Sequence, residues 1–105
     1  MTRRDALGDK EQLLAAAESF AANGELNEAI LSYESAVELE PGDPDLRMKV
    51  GALLIQVERA DDAASSWSKA ATLYEEQGLL SEALSTQKKV VETTPASTDA
   101  IERLA

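Results

Sequence analysis

The side chains of this sequence that could do chemistry are its hydroxyls and carboxylates, because cysteine and histidine are both absent. A serine or threonine nucleophile needs a neighbouring base, and without histidine the usual base is missing. The absence of cysteine also excludes a thiolate nucleophile, a disulfide framework and the common cysteine–histidine zinc sites. The sequence therefore predicts no active site of the nucleophilic type.

The carboxylates and glycines do not form a known catalytic or metal-binding pattern either. The adjacent acids Asp61-Asp62 and Glu75-Glu76 would point to different faces of a helix and so could not act as a catalytic pair. The stretch PGDPD, residues 41–45, has two aspartates near a glycine but lacks the ligand spacing of a calcium loop. No glycine-rich phosphate loop occurs. We therefore expect no enzymatic activity, no metal site and no cofactor.

The composition favours a small helical protein. The chain has 105 residues, of which 44% are apolar and 29% charged, and this is enough for one domain with a core. Alanine and leucine are abundant and no strand-length stretch alternates with period two, so we predict an all-α fold. No apolar run approaches the roughly 20 residues of a membrane span, and the first ten residues are no secretory signal. These features predict a cytoplasmic protein without a membrane span.

The charge is strongly negative and unevenly distributed. The net charge is −10, and residues 1–43 alone carry 10 acidic and 3 basic side chains. Because phosphate backbones repel such a surface, we expect no nucleic-acid partner. The acidic first third could attract a basic partner, although solvated acidic helix faces are also common.

Capping and breaking residues predict five helices. Asp43-Pro44 combines an N-cap with a proline at the first helical position, where its missing N–H costs nothing. The other predicted starts are Asp9 (with Gln12, a capping box), Asn27, Asp61 or Asp62, and Ser81. The predicted stops are Asn23-Gly24, Pro41-Gly42, about Val57, Gly78 and Thr94-Pro95. We interpret residues 1–8 as a flexible arm and residues 9–105 as one helical domain.

Small residues recur at a fixed interval along these helices. Ala29 and Ala36 are followed 34 residues later by Ala63 and Ala70. The pairs Ala17/Gly51, Phe20/Leu54 and Tyr33/Trp67 show the same interval. A small residue on facing helices allows close approach, while a large residue fills the groove beside it. Two helices per 34-residue unit is the spacing of a helical solenoid.

These residues resemble the pattern of the tetratricopeptide repeat family. The first unit, residues 10–43, fills the pattern with Leu13, Ala16, Ala17, Phe20, Ala29, Tyr33, Ala36 and Pro41. The second, residues 44–77, fills it with Arg47, Val50, Gly51, Leu54, Ala63, Trp67 and Ala70. Arg47 and Leu54 depart from the pattern, and Glu75 stands where the closing proline would be.

A third copy follows the second after 20 residues instead of 34. In it Gly78, Glu82, Ala83, Val90 and Pro95 correspond to Gly24, Glu28, Ala29, Ala36 and Pro41. Upstream, Trp67, Ala70, Ala71 and Tyr74 have the form of a first-helix signature. We therefore predict an overlapping unit at 64–97, so that one helix closes the second unit and opens the third. Residues 98–105 are interpreted as a truncated sixth helix, which indicates the N-terminal piece of a longer protein.

The resemblance implies a right-handed α-solenoid of antiparallel helix pairs, in which the first helix of each pair lines a concave groove for a partner peptide or helix. The groove residues would be Glu11, Leu14, Glu18, Asp45, Met48, Lys49, Ala52, Ile55 and Gln56, together with Ala15, Ala21 and Ala22. The apolar members suit an amphipathic partner, or else they pack against a neighbouring helix or the arm. The family's carboxylate clamp is missing, because Leu14 and Glu18 occupy its first two places.

The sequence thus predicts a non-catalytic protein-binding module, an adaptor or scaffold, with a basic or amphipathic protein partner. One alternative is a regulatory or spacer domain that packs on a following domain. Another is self-association through the exposed end at residues 80–105. The side of the solenoid on which residues 80–93 lie is left open.

Overall fold

The computed structural model describes the backbone of residues 2–93 and the side chains of residues 9–93. This part of the chain contains five helices and no strand. They are α1 (Thr2–Ala22), α2 (Leu26–Leu39), α3 (Pro44–Gln56), α4 (Ala60–Glu76) and α5 (Leu80–Thr93). The predicted all-α fold of antiparallel helix pairs is confirmed. The predicted stop at Pro95 and the truncated helix at 98–105 lie outside the described residues.

The helix starts follow the sequence prediction at one place and differ elsewhere. The Asp43 carboxylate accepts a hydrogen bond of 2.9 Å from the backbone N–H of Asp45, and Pro44 opens α3 as predicted. In contrast, α1 begins at Thr2, so that Asp9 lies inside the helix and cannot cap it. The predicted arm, residues 1–8, accordingly has helical backbone from Thr2 onward.

Three turns of the same geometry explain why α2, α4 and α5 begin earlier than predicted. Gly24, Glu58 and Gly78 follow α1, α3 and α4 with φ angles of 81°, 63° and 79°. In each turn the next N–H donates to the carbonyl five residues back, at 2.8 Å. This backbone pattern ends one helix and leads at once into the next. The predicted capping residues, Asn27, Asp61, Asp62 and Ser81, therefore lie just inside their helices.

The repeated small residues form the helix-to-helix contacts. Ala17, Ala29, Ala36, Ala63 and Ala70 all have 0% exposure, which confirms that the helices stack closely at these positions. Ala83 of the third copy is buried as well. The large residues Tyr33, Trp67 and Tyr74 are buried between neighbouring helices, where aromatic rings contribute most apolar area.

The contact between α3 and α4 is closest where Trp67 crosses Gly51. A Cβ atom at Gly51 would lie 2.2 Å from the Trp67 Nε1 atom, so only glycine leaves room for the indole. The same Nε1–H donates a 3.2 Å hydrogen bond to the Met48 carbonyl. One residue earlier on α3, the Arg47 carbonyl accepts a 2.8 Å hydrogen bond from the Ser66 hydroxyl. These bonds fix the two helices side by side.

Helix α4 contributes to two separate parts of the core. Its first half adds Ala63 to the cluster that α1, α2 and α3 form around Tyr33. Its second half, through Ala70 and Tyr74, forms a smaller cluster with Ala83 of α5. The same helix therefore packs on α3 and on α5, and it fixes the position of these two helices relative to each other.

Candidate partner-binding surface

The predicted groove residues belong to α1 and α3, and we call their shared surface the inner face. The burial of α3 explains which of its sides is open: Leu46, Val50, Leu53 and Leu54 turn toward the core. Asp45, Lys49, Ala52 and Gln56 repeat at three- and four-residue spacing on the other side. The exposed members of the predicted set are Glu11, Ala15, Glu18, Ala22, Asp45, Lys49, Ala52, Ile55 and Gln56, and the partly buried members are Leu14, Ala21 and Met48.

Tyr33 of α2 connects α1 and α3 beneath the inner face. The Lys49 Nζ atom lies 6.0 Å from the centre of the Tyr33 ring. Burial raises the pKa of the Tyr33 phenol, and the negative charge of Glu18 raises it further. The negative charge of Glu18 on α1 and the positive charge of Lys49 on α3 thus both interact with the Tyr33 side chain. The centre of the inner face is a site of mixed charge above a buried tyrosine.

Met48 does not extend freely into a groove. It is partly buried against Ala70, Tyr74 and Ala83, and its Sδ atom lies 3.8 Å from the Thr86 hydroxyl oxygen. Of the two alternatives given by the sequence, packing against a neighbouring helix therefore holds for Met48. Leu14 likewise packs against the main core cluster.

The exposed apolar part of the inner face is consequently smaller than the sequence suggested. On α3 it consists of Ala52 and Ile55, of which Ile55 is 38% exposed, and on α1 of Ala15 and Ala22. The contact between Met48 and Thr86 also places α5 beside α3 at this edge. Residues 80–93 therefore border the inner face at Met48.

Asp45 has a structural contact that the sequence did not reveal. The Tyr74 hydroxyl donates a 2.8 Å hydrogen bond to Asp45 Oδ1. Burial and then this bond raise the pKa of Tyr74 to about 12. The bond joins residues 29 apart in the chain, and no local motif signals such a pair. One oxygen of an exposed groove carboxylate is thus already engaged.

A second exposed surface runs along α5. Leu80, Leu84 and Val91 lie on one side of the helix by their spacing, and Leu84 is 67% exposed. No helix among residues 2–93 covers this side. In the same part of the chain no helix is long and apolar enough to cross a bilayer.

Helix pairs that bury alanines at a repeated spacing define an α-solenoid of the helical-repeat class. The sequence profile of the tetratricopeptide repeat family matches residues 13–43 and 64–97, which is more than half of the chain. The chain belongs to the tetratricopeptide repeat family. Members of this family are in general protein-interaction scaffolds with a non-catalytic fold.

The chain is similar to several solved structures, among them the following two. The crystal structure of MamA has a TM-score of 0.56 and 21% identity, over 80% of this chain and 57% of the MamA chain. This chain thus spans less than two thirds of MamA, and the likeness shows the fold alone. The N-terminal domain of stress-induced protein-1 (STI-1) from C. elegans has a TM-score of 0.42 and 16% identity, over 96% and 94% of the two chains. A search of curated protein sequences found no match.

Proposed function

We propose that the chain is a non-catalytic protein-binding module that holds a partner peptide or helix on its inner face. The observation that supports this is the open side of α3. There Ala52 and Ile55 are exposed beside Lys49, although the opposite side of the same helix is buried. Exposed apolar residues rimmed by charges are typical of a peptide-docking surface. We also infer a cytoplasmic adaptor or scaffold role without nucleic-acid partners.

The charges of the inner face favour a basic or amphipathic partner. Glu11 and Glu18 of α1 are exposed and carry no ion pair among the described side chains. Asp45 has an exposed carboxylate with only one oxygen bonded to Tyr74. Lys49 supplies the single opposing charge of the set. A partner helix with an apolar stripe over Ile55 and lysines or arginines along its flank would complement this surface.

We further infer that the repeats are divided as 10–43, 44–77 and an overlapping 64–97. The division of α4 between two core clusters supports the overlap, because Ala63 serves one unit and Ala70 with Tyr74 serves the other. The family profile also matches residues 64–97, which start inside α4.

The experiment compares glutamate substitutions at two exposed aliphatic residues, Ile55 on the inner face and Leu31 on α2. A photoreactive amino acid at Ile55 first identifies the partner segment by mass spectrometry, and that segment is then synthesised for titration. We expect Ile55→Glu to weaken its binding about tenfold or more, which is about 1.4 kcal/mol. The control is Leu31→Glu, on the solvent side of α2, which should bind as the unaltered chain does. Equal affinities of Ile55→Glu and the unaltered chain would contradict the proposal.

The α5 surface supports a second candidate function. Its exposed leucines could pack on a following domain, as in a regulatory or spacer domain, or on a second copy of the chain. Sedimentation over a concentration series distinguishes the two cases. Self-association predicts a mass that rises with concentration and returns to one chain in Leu84→Glu. A constant single-chain mass leaves the following-domain alternative, which a longer form of the protein would test.

A further inference from the structure

A cleft lies on the side of α3 that is opposite the inner face. Arg47, Val50 and Leu54 are spaced three and four residues apart, roughly half a turn away from Ala52. Between α2 and α4 a cleft of about 340 Å³ opens over these three residues. We call it the outer cleft. Its lining includes Glu34, Glu38, Arg47, Val50, Leu54 and Lys69.

Arg47 is the residue of the outer cleft whose bonding is incomplete. Its Nε atom is buried and has no hydrogen-bond partner. A guanidinium N–H is a strong donor, and burial without an acceptor is unfavourable. The repeat pattern has a large apolar residue at this position, which would pack here without that cost. The guanidinium also lines the outer cleft, so an anionic group bound there would lie beside its positive charge.

The remaining charges show what kind of acceptor fits. A second hollow of about 260 Å³, toward Leu73 and Glu76, is also lined by Arg47 and Lys69. Among the described side chains neither of these two cations forms an ion pair, and Glu34 and Glu38 on the α2 wall form none either.

The other charged pair of the cleft is already satisfied. Arg59 donates to Asp62 at 2.9 Å, so both charges are engaged with each other. The outer cleft is therefore lined by the positive charges of Arg47 and Lys69 and the negative charges of Glu34 and Glu38, none of them in an ion pair among the described side chains. The buried apolar residues Val50 and Leu54 also line it.

We infer that the outer cleft binds a polar peptide segment of a partner protein. The carboxylate of an acidic side chain in the segment pairs with the positive charges of Arg47 and Lys69, which both line the cleft. A neighbouring basic side chain reaches Glu34 and Glu38. The aliphatic stems of both side chains lie on the apolar floor. This site is independent of the inner face, because the two surfaces use opposite sides of α3.

The test uses the purified chain and two capped pentapeptides, acetyl-AEAKA-amide and its uncharged counterpart acetyl-AQAQA-amide. The NMR signal of the Arg47 Nε–H, assigned by its loss in Arg47→Met, reports on the environment of the guanidinium. We expect the charged peptide to shift this signal and the uncharged one to leave it unchanged. Arg47→Met should bind the charged peptide at least tenfold more weakly, with no fall in its urea midpoint. Lys88→Met, which removes one exposed positive charge from α5, is the matched control and should bind normally.

Three results would overturn the inference. The first is an Arg47 signal that the charged peptide does not shift. The second is a fall in the urea midpoint of Arg47→Met, which would make the arginine a structural residue. The third concerns the double variant Glu34→Gln/Glu38→Gln in the absence of peptide. If its Arg47 signal differs from that of the unaltered chain by as much as the peptide shifts it, those carboxylates would already be the acceptors of Arg47. Ile55→Glu should bind the pentapeptide normally, which separates this site from the inner face.

Discussion

Replacement of Gly51 by alanine tests the closest helix contact of the fold. In a helix open to solvent this change stabilises by about 1 kcal/mol, because alanine is the better helix former. Here the new Cβ would meet three indole atoms of Trp67, at 2.2, 2.5 and 2.6 Å. Displacing a packed ring costs about 1–3 kcal/mol, and losing its hydrogen bond to Met48 costs about 1–3 kcal/mol more. The expected net loss is about 1–5 kcal/mol.

Urea unfolding measures this loss directly. Trp67 is the only tryptophan of the chain, so its fluorescence reports on the altered contact, and far-ultraviolet circular dichroism reports on the helices. With a slope of about 2 kcal/mol per molar urea, a loss of 2 kcal/mol lowers the midpoint by about 1 M. Gly42→Ala is the matched control, because its Cβ would have no neighbour within 4 Å. Its free energy of unfolding should stay within about 0.5 kcal/mol of that of the unaltered chain.

The contact with Trp67 can also be isolated by a double-mutant cycle. In a Trp67→Leu background the space over Gly51 is no longer filled by the indole, so Gly51→Ala should be neutral or stabilising there. A Gly51→Ala variant that is more stable than the original chain, with Trp67 present, would refute the described packing.

Three further predictions concern stability. The fold favours neutral Tyr74, whose pKa is raised to about 12 from 10.0, so the folded chain holds this proton more tightly than the unfolded chain. The free energy of unfolding should therefore fall as the pH rises from 10 toward 12, less steeply in Tyr74→Phe, and equal slopes in urea titrations would contradict this. Glu58→Gly should raise the urea midpoint, because a left-handed residue with a side chain costs about 1–2 kcal/mol, and a lower midpoint would argue against that backbone conformation. In thermal unfolding, Met48→Glu should lower the free energy of unfolding by about 1–3 kcal/mol and Ile55→Glu by no more than about 0.5 kcal/mol. Equal losses of stability in the two variants would contradict the burial of Met48.

The small-residue contacts could be predicted from the sequence because they repeat. Ala29 and Ala63 are 34 residues apart, and a repeated small residue is a direct sign of a close helix approach. The same interval of 34 residues separates Gly24 from Glu58. The repeat therefore also marks the left-handed turn at Glu58, which was not predicted. The capping rule failed at Asn27 because backbone hydrogen bonds of the turn, and no side chain, start that helix.

The surroundings of the groove residues could not be predicted in the same way. Whether Met48 is open or covered depends on how α5 lies against α3, and the contact with Thr86 spans 38 residues. The bond between Tyr74 and Asp45 has the same origin. Helical periodicity assigns a residue to one side of its own helix, but it does not say which other helix covers that side. The exposed apolar area of the inner face was therefore overestimated.

Chemical-shift mapping of the complex with the cross-linked partner segment tests the central claim most directly, because it reports on every backbone amide at once. Binding on the inner face predicts the largest changes at Lys49, Ala52 and Ile55, and at Glu18 on the facing helix. Little change is expected at Leu31 on the solvent side of α2. Changes centred on α5 or on the outer cleft, with the amides of residues 49–56 unaltered, would contradict it.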